Sequence, residues 1–252
     1  MRQLMGLLLV TVFVSALAGP VRAGEDKDTN AILDKAIKAL GGEEKLGTVK
    51  AVTWKGKGKI NFGGNENEFT SQATVQGLDK YRGEFEGDFG GNKVQGVTVV
   101  NGDKGWRKFG DNKMDLDKDG LANEKRNLAL QIIPATVLPL KQKEFKVEAA
   151  GEEKVGDKPA VAIKVTGPDG KDFKLYFDKE SGLPVRLIAK VVGFDGQEFT
   201  QETTLGNYKD FGGRKRATKI ENKRDGEKFV EVEITEFKVL DKVDPKTFAE
   251  PE

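Results

Sequence analysis

From Val52 onward the chain alternates. Val52, Trp54, Gly56, Gly58, Ile60 and Phe62 are interleaved with Thr53, Lys55, Lys57, Lys59 and Asn61. A period of two with one polar set is the mark of an antiparallel strand with one wet face. Gly63-Gly64-Asn65 turns it, and Phe69, Ser71, Ala73 and Val75 continue on the next strand. Tyr81, Gly83, Phe85, Gly87 and Phe89 alternate with Arg82, Glu84, Glu86 and Asp88 on a third. A fourth is expected from about 93 to 100, closed by an Asn101-Gly102 hairpin, and a short fifth over 106–109. Strands resume at Phe145, and Asp169-Gly170, Asp195-Gly196 and Asp225-Gly226 each divide two extended runs. The last strand sets Val230, Val232 and Ile234 opposite Glu231, Glu233 and Thr235. The pattern predicts about ten to eleven strands. An antiparallel sheet that wide must curl or close to hide its faces.

Two segments follow the helical period instead. Ile32, Leu33, Ala36, Ile37 and Leu40 share one helical face, and Gly41-Gly42 stops that helix. Gly24 to Asn30 reads as a polar linker ahead of it, with Asp28 or Thr29 as N-cap. The second helix is expected from about 121 to 138, kinked at Pro134 and ended by Pro139. Its apolar run, Leu128 to Leu140, needs a partner surface. Either it plugs the core of the sheet or it covers a cavity meant for a ligand, with Pro134 and Gly120 as hinge points.

Glycines on the strands add to the picture. Gly56, Gly58, Gly83 and Gly87 lie on the same faces as the aromatics. They suit a strongly coiled sheet, or they make room for side chains opposite.

The N-terminus reads as a secretory leader. Arg2 supplies the positive end, Leu4 to Ala18 the apolar run, and Val21-Arg22-Ala23 the preferred cut site. The apolar run falls short of the ~20 residues a membrane span needs. Residues 1–23 are therefore expected as a signal peptide, residues 24–252 as one domain, and the location as periplasmic or secreted. Removing Arg2 and Arg22 leaves 40 basic against 41 acidic residues, a net charge of about −1. That balance argues against a nucleic-acid partner.

The chain has no Cys and no His. Disulfides, thiolate or imidazole metal sites, and Ser-His-Asp or Cys-His catalysis are excluded. Asp115, Asp117, Asp119 and Gly120 match half of a calcium loop, but its twelfth position is Arg126. These acids are read as caps for the following helix. Arg214-Lys215-Arg216 is read as a solvated basic loop, or as a contact for anionic headgroups. No cofactor and no metal site is expected.

What remains is apolar. Trp54, Ile60, Phe62, Phe69, Phe85, Phe89, Phe173, Leu175 and Phe177 point to one face, and Leu128, Ile132 and Leu138 belong to the segment that covers it. Each of these taken singly has core packing as its ordinary role. As a set, they are the candidate lining of an apolar ligand cavity.

Several stretches carry a resemblance. Tyr176-Phe177-Asp178-Lys179-Glu180-Ser181-Gly182-Leu183-Pro184-Val185-Arg186-Leu187 resembles the strand-turn-strand unit of periplasmic lipoprotein-sorting proteins of the LolA/LolB-like superfamily. Asn207 to Gly213 with Lys219-Ile220, the tail from Phe237 to Val243-Asp244-Pro245-Lys246-Thr247-Phe248, and the opening Ile32 to Leu46 resemble other elements of it. Ala217 departs from a proline common there, and no arginine matches the one that latches the carrier's lid. The resemblance implies a mainly β fold with α: an incomplete antiparallel barrel, with an N-terminal and a central kinked helix covering an apolar, acyl-binding concave face. It implies a monomeric, non-enzymatic carrier of a lipid or a lipidated protein, with a membrane donor or acceptor as partner. The superfamily also includes envelope-stress sensors, so a scaffold or sensor with a self-filled core is the alternative. A hydrolase using inward-pointing carboxylates is a third.

Overall fold

The protein is described as a computed structural model over residues 22–62, 64–193 and 196–252. The expected leader up to residue 21, Gly63 of the first turn and Asp195 of another lie outside the described residues.

One sheet of 13 antiparallel strands forms the body. In chain order these are β1 (Ala51–Phe62), β2 (Asn65–Gln76), β3 (Lys80–Phe89), β4 (Asn92–Asn101), β5 (Lys104–Phe109) and β6 (Asn112–Asp115). After a helix come β7 (Lys146–Val155), β8 (Lys158–Thr166), β9 (Asp172–Asp178), β10 (Pro184–Val192), β11 (Glu198–Asp210), β12 (Lys215–Arg224) and β13 (Glu227–Leu240). The strand count exceeds the expected ten to eleven. Asn112–Asp115, expected as turn and capping acids, pairs with β5 as the fully exposed edge strand β6. No apolar alternation marks it, because neither of its faces is buried.

The topology explains the central helix. The first six strands run outward from the middle, and the last seven run inward from the other edge, so that β1 and β13 meet at the centre. β6 and β7 are the two free edges, and the sheet stays open. The chain must travel from one edge to the other. Helix α3 (Lys118–Thr136) makes that crossing. Its 19 residues span about 28 Å. Asp117 caps it by accepting from the Gly120 amide at 2.8 Å, as the capping reading of the acids expects. The helix passes through Pro134 and ends at Val137, whose φ of 64° places a β-branched residue in the left-handed region. Leu138–Lys141 follows as a 3-10 turn with Pro139 in its first positions.

The N-terminal helix α1 (Arg22–Leu40) starts earlier than expected. The expected linker over Gly24 to Asn30 is helical, and Asp28 near its start suits the positive end of the helix dipole. Leu33, Ala36, Ile37 and Leu40 are all buried, as the spacing requires. Gly42, at φ 89°, donates its amide to the Ile37 carbonyl at 2.9 Å and closes the helix before the short α2 (Glu43–Gly47).

The strand glycines serve side chains and backbone together. A Cβ on Gly58 would overlap the Glu231 carbonyl oxygen across β13 and press 3.1 Å from the Phe69 ring. We expect Gly58→Ala to cost about 1–3 kcal/mol, since the facing strand has to move. A urea midpoint equal to that of the wild type would refute the close approach.

Candidate functional site

Pairing register fixes which side chains share the concave face. One row runs Leu175, Leu187, Thr203, Asn222, Val230, Ile60 and Asn67 across seven strands. Trp54, Phe69, Phe85, Phe89, Phe173 and Phe177 occupy the same face by alternation, and Phe62 holds the matching position on β1. The structure therefore gathers the expected strand residues on one face.

The helices divide that face in two. Over β8–β10, Phe173, Leu175 and Phe177 are packed with Leu33, Ala36, Ile37 and Leu40 of α1 and with Leu130 and Ile133 of α3, and Leu138 leans on the same cluster. Over β1 and β2, Leu128 is packed with Val52, Trp54, Ala73 and Val75, and Ile132 leans on that cluster. Helical spacing allows α3 one apolar face through Leu121, Leu128, Ile132 and Ala135. It has two, because it lies between the wings of a curled sheet. Its own side chains fill the space beneath it: Leu128 is 1% exposed and Ile133 fully buried.

Beyond the helices the face is open. Ile60, Phe69, Phe85 and Phe89 are half-buried and belong to none of the packed clusters. Phe85 meets Phe109 edge-on at 5.8 Å. A polar strip on β11 and β12 borders them: the Thr203 hydroxyl lies 2.7 Å from the Asn222 amide oxygen, and Arg224 donates to the Gln201 amide oxygen at 3.3 Å while stacking on Phe229. On β1–β4, β9, β10 and β12 no position in register with this face is Asp or Glu, and on β13 Glu227, opposite Arg224, is the one acid. An inward carboxylate pair for hydrolysis is not found there. The outer face of β13, β1, β2 and β3 instead carries a trough of about 690 Å³ lined by Lys57, Lys59, Glu68, Glu86, Glu231 and Glu233. Its charges pair with one another, as Lys59 with Glu66 at 2.7 Å and Lys57 with Glu233 at 3.8 Å, the usual dress of a wet sheet surface.

Four arginines are withdrawn from solvent, Arg107, Arg126 and Arg216 on the concave side and Arg186 on the outer one. Arg126 of α3, 6% exposed, donates to Asp169 at 2.9 Å and to the carbonyls of Lys190 and Asp172 at 3.1 and 2.9 Å. Arg107 of β5 holds Glu124 of α3 at 2.5 Å. Arg186 pairs with Glu153 and stacks on Tyr176 at 4.0 Å. Neither α3 anchor was singled out from sequence, where Arg126 entered only as a wrong-signed calcium-loop position. Arg126 does stand four and seven residues before Leu130 and Ile133, on the same helical face.

The fourth, Arg216, corrects the reading of a solvated basic loop. It belongs to β12 and is 8% exposed, whereas Lys215 beside it is exposed. The guanidinium lies 4.7 Å from the Trp54 ring centre and 4.8 Å from that of Phe237. Desolvation lowers its pKa to about 10, so it stays charged at neutral pH. The same alternation that sets Ile220 inward sets Arg216 inward.

No protein-family model and no curated protein matches the chain. Solved structures do resemble it. A LolA superfamily protein, NE2245 from Nitrosomonas europaea, is 11% identical with a TM-score of 0.57, covering 88% of this chain and 97% of that one. A DUF1329 family protein from Desulfovibrio piger is 12% identical with a TM-score of 0.54 at the same coverages. A domain from Vibrio parahaemolyticus, provisionally assigned to outer membrane lipoprotein sorting, is 9% identical with a TM-score of 0.52 over 86% of this chain and 97% of that one. At these identities the likeness speaks for architecture: the chain shares its overall fold, an open antiparallel sheet with a helix crossing between its edges, with these structures.

Proposed function

We propose that the chain is a periplasmic, non-enzymatic carrier or binder of a lipid or of the acyl chains of a lipidated protein. Residues 1–23 would direct export, and residues 24–252 would form a single monomeric half-barrel domain. The observation that carries the reading is the uncovered part of the concave face. A closed core has no reason to leave Ile60, Phe69, Phe85 and Phe89 half-exposed side by side on a sheet of this size. Acyl chains laid there leave water at about 0.8 kcal/mol per buried methylene. Trp54, Phe62, Leu128, Ile132, Leu138, Phe173, Leu175 and Phe177 would extend the lining inward as α3 gives way. Hand-off would go to or from a membrane protein.

The filled space beneath α3 favours a second reading, an envelope scaffold or sensor that binds protein at its surface. Protein purified from its native envelope, extracted with organic solvent and analysed by mass spectrometry, separates the two. The carrier reading expects a stoichiometric amphiphile and saturable binding of a hydrophobic fluorescent probe. No amphiphile and no probe binding to the native state would reject it in favour of the scaffold.

A further inference from the structure

Arg107, Arg126 and Arg186 each leave solvent with a carboxylate: Glu124, Asp169 and Glu153. Arg216 is as buried as Arg126 and has no hydrogen bond or ion pair among the described residues; its Nε is out of contact with solvent and without a partner. The Tyr208 phenol, close enough to act on its charge, donates to the Pro184 carbonyl at 2.6 Å and makes no hydrogen bond with Arg216. The faces of Trp54 and Phe237 offset part of the desolvation of a cation, but they accept none of its five N–H bonds. The Nε donor of this guanidinium is thus buried without an acceptor, a costly arrangement that a bound anion would relieve.

Position says what kind of anion. Arg216 stands on the concave side of β12, four residues, or about 13 Å, from Ile220. Ile220 is opposite Val232, Val232 is opposite Gly58, and Gly58 is opposite Phe69. The buried cation thus sits at the inner end of the apolar strip. We propose that Arg216 is the headgroup anchor of this site, and that the ligand is an anionic amphiphile whose carboxylate or phosphate meets the guanidinium while its chain lies along Ile220, Val232 and Phe69. This rests on the carrier reading and sharpens it. Arginine suits either head, because its planar fork matches carboxylate and phosphate oxygens alike.

The test uses the mature protein, delipidated, with three single-chain probes: palmitate, 1-palmitoyl lysophosphatidate and neutral monopalmitin. The wild type should bind at least one anionic probe about tenfold or more tightly than monopalmitin, the scale of a charge-assisted contact. Palmitate alone preferred would point to a free fatty acid, and lysophosphatidate alone to a phospholipid head. Arg216→Met should bring all three within about threefold while leaving monopalmitin binding and the melting temperature unchanged or higher, as removal of an unpaired buried charge allows. Arg216→Lys, which keeps the charge, should retain part of the preference and serves if the methionine variant fails to fold. Equal affinities in the wild type, or a preference that survives in Arg216→Met, would overturn the assignment and leave the carrier reading standing. If monopalmitin and both anionic probes fail to bind, the carrier reading falls and this inference with it.

Discussion

Leu128→Asp is expected to unfold the protein at ordinary temperatures, with a loss of more than about 4 kcal/mol. Leu128 is 1% exposed and lies among Val52, Trp54, Ala73 and Val75. A carboxylate there gives up its hydration, and deleting the isobutyl group removes apolar burial as well. Because α3 contributes at once to the cluster over β1 and β2 and to that over β8–β10, the damage should not stay local. Urea unfolding followed by circular dichroism reads the effect, with Leu128→Ala as the milder comparison at about 2–5 kcal/mol. A variant that kept the wild-type midpoint but lost probe binding would show the opposite: that Leu128 faces a ligand space and α3 moves freely.

Much of this was legible in the chain. A two-residue turn falls at Asp225-Gly226 as expected, both at positive φ, and the hairpin expected at Asn101-Gly102 turns one residue later, at Gly102-Asp103. The alternation from Val52 to Phe62 assigned Trp54 and Ile60 to one face before any pairing was known. What stayed hidden depended on contacts distant in sequence. β6 forms because β5 offers an edge, although Asn112–Asp115 has no apolar face of its own. The second buried face of α3 exists because the crossing from β6 to β7 puts sheet on both sides. Arg216 was masked by its neighbours: Arg214 and Lys215 make a basic triplet, and only strand phase separates the buried member from the exposed one.

Arg126→Ala should loosen α3 from the sheet, at a cost of about 3 kcal/mol. Three bonds tie this side chain to the far wing: one to the Asp169 carboxylate and two to the Lys190 and Asp172 carbonyls. Bonds to a charged donor contribute about 1.5–3 kcal/mol each, but Asp169 is about one-third exposed and can turn to water, so the sum is not reached. Two residues earlier on the helix, Glu124 holds Arg107 of β5 on the opposite wing, and that anchor remains. The helix would then be fixed at one wing only. If α3 yields to an incoming chain, as the carrier reading requires, the same substitution should raise the association rate of a hydrophobic probe while lowering the melting temperature. Stopped-flow fluorescence and thermal unfolding on one preparation give both numbers. A fall in melting temperature with an unchanged association rate would mean that α3 is packing alone, and that the ligand enters only along the strip already open between Ile60 and Phe89.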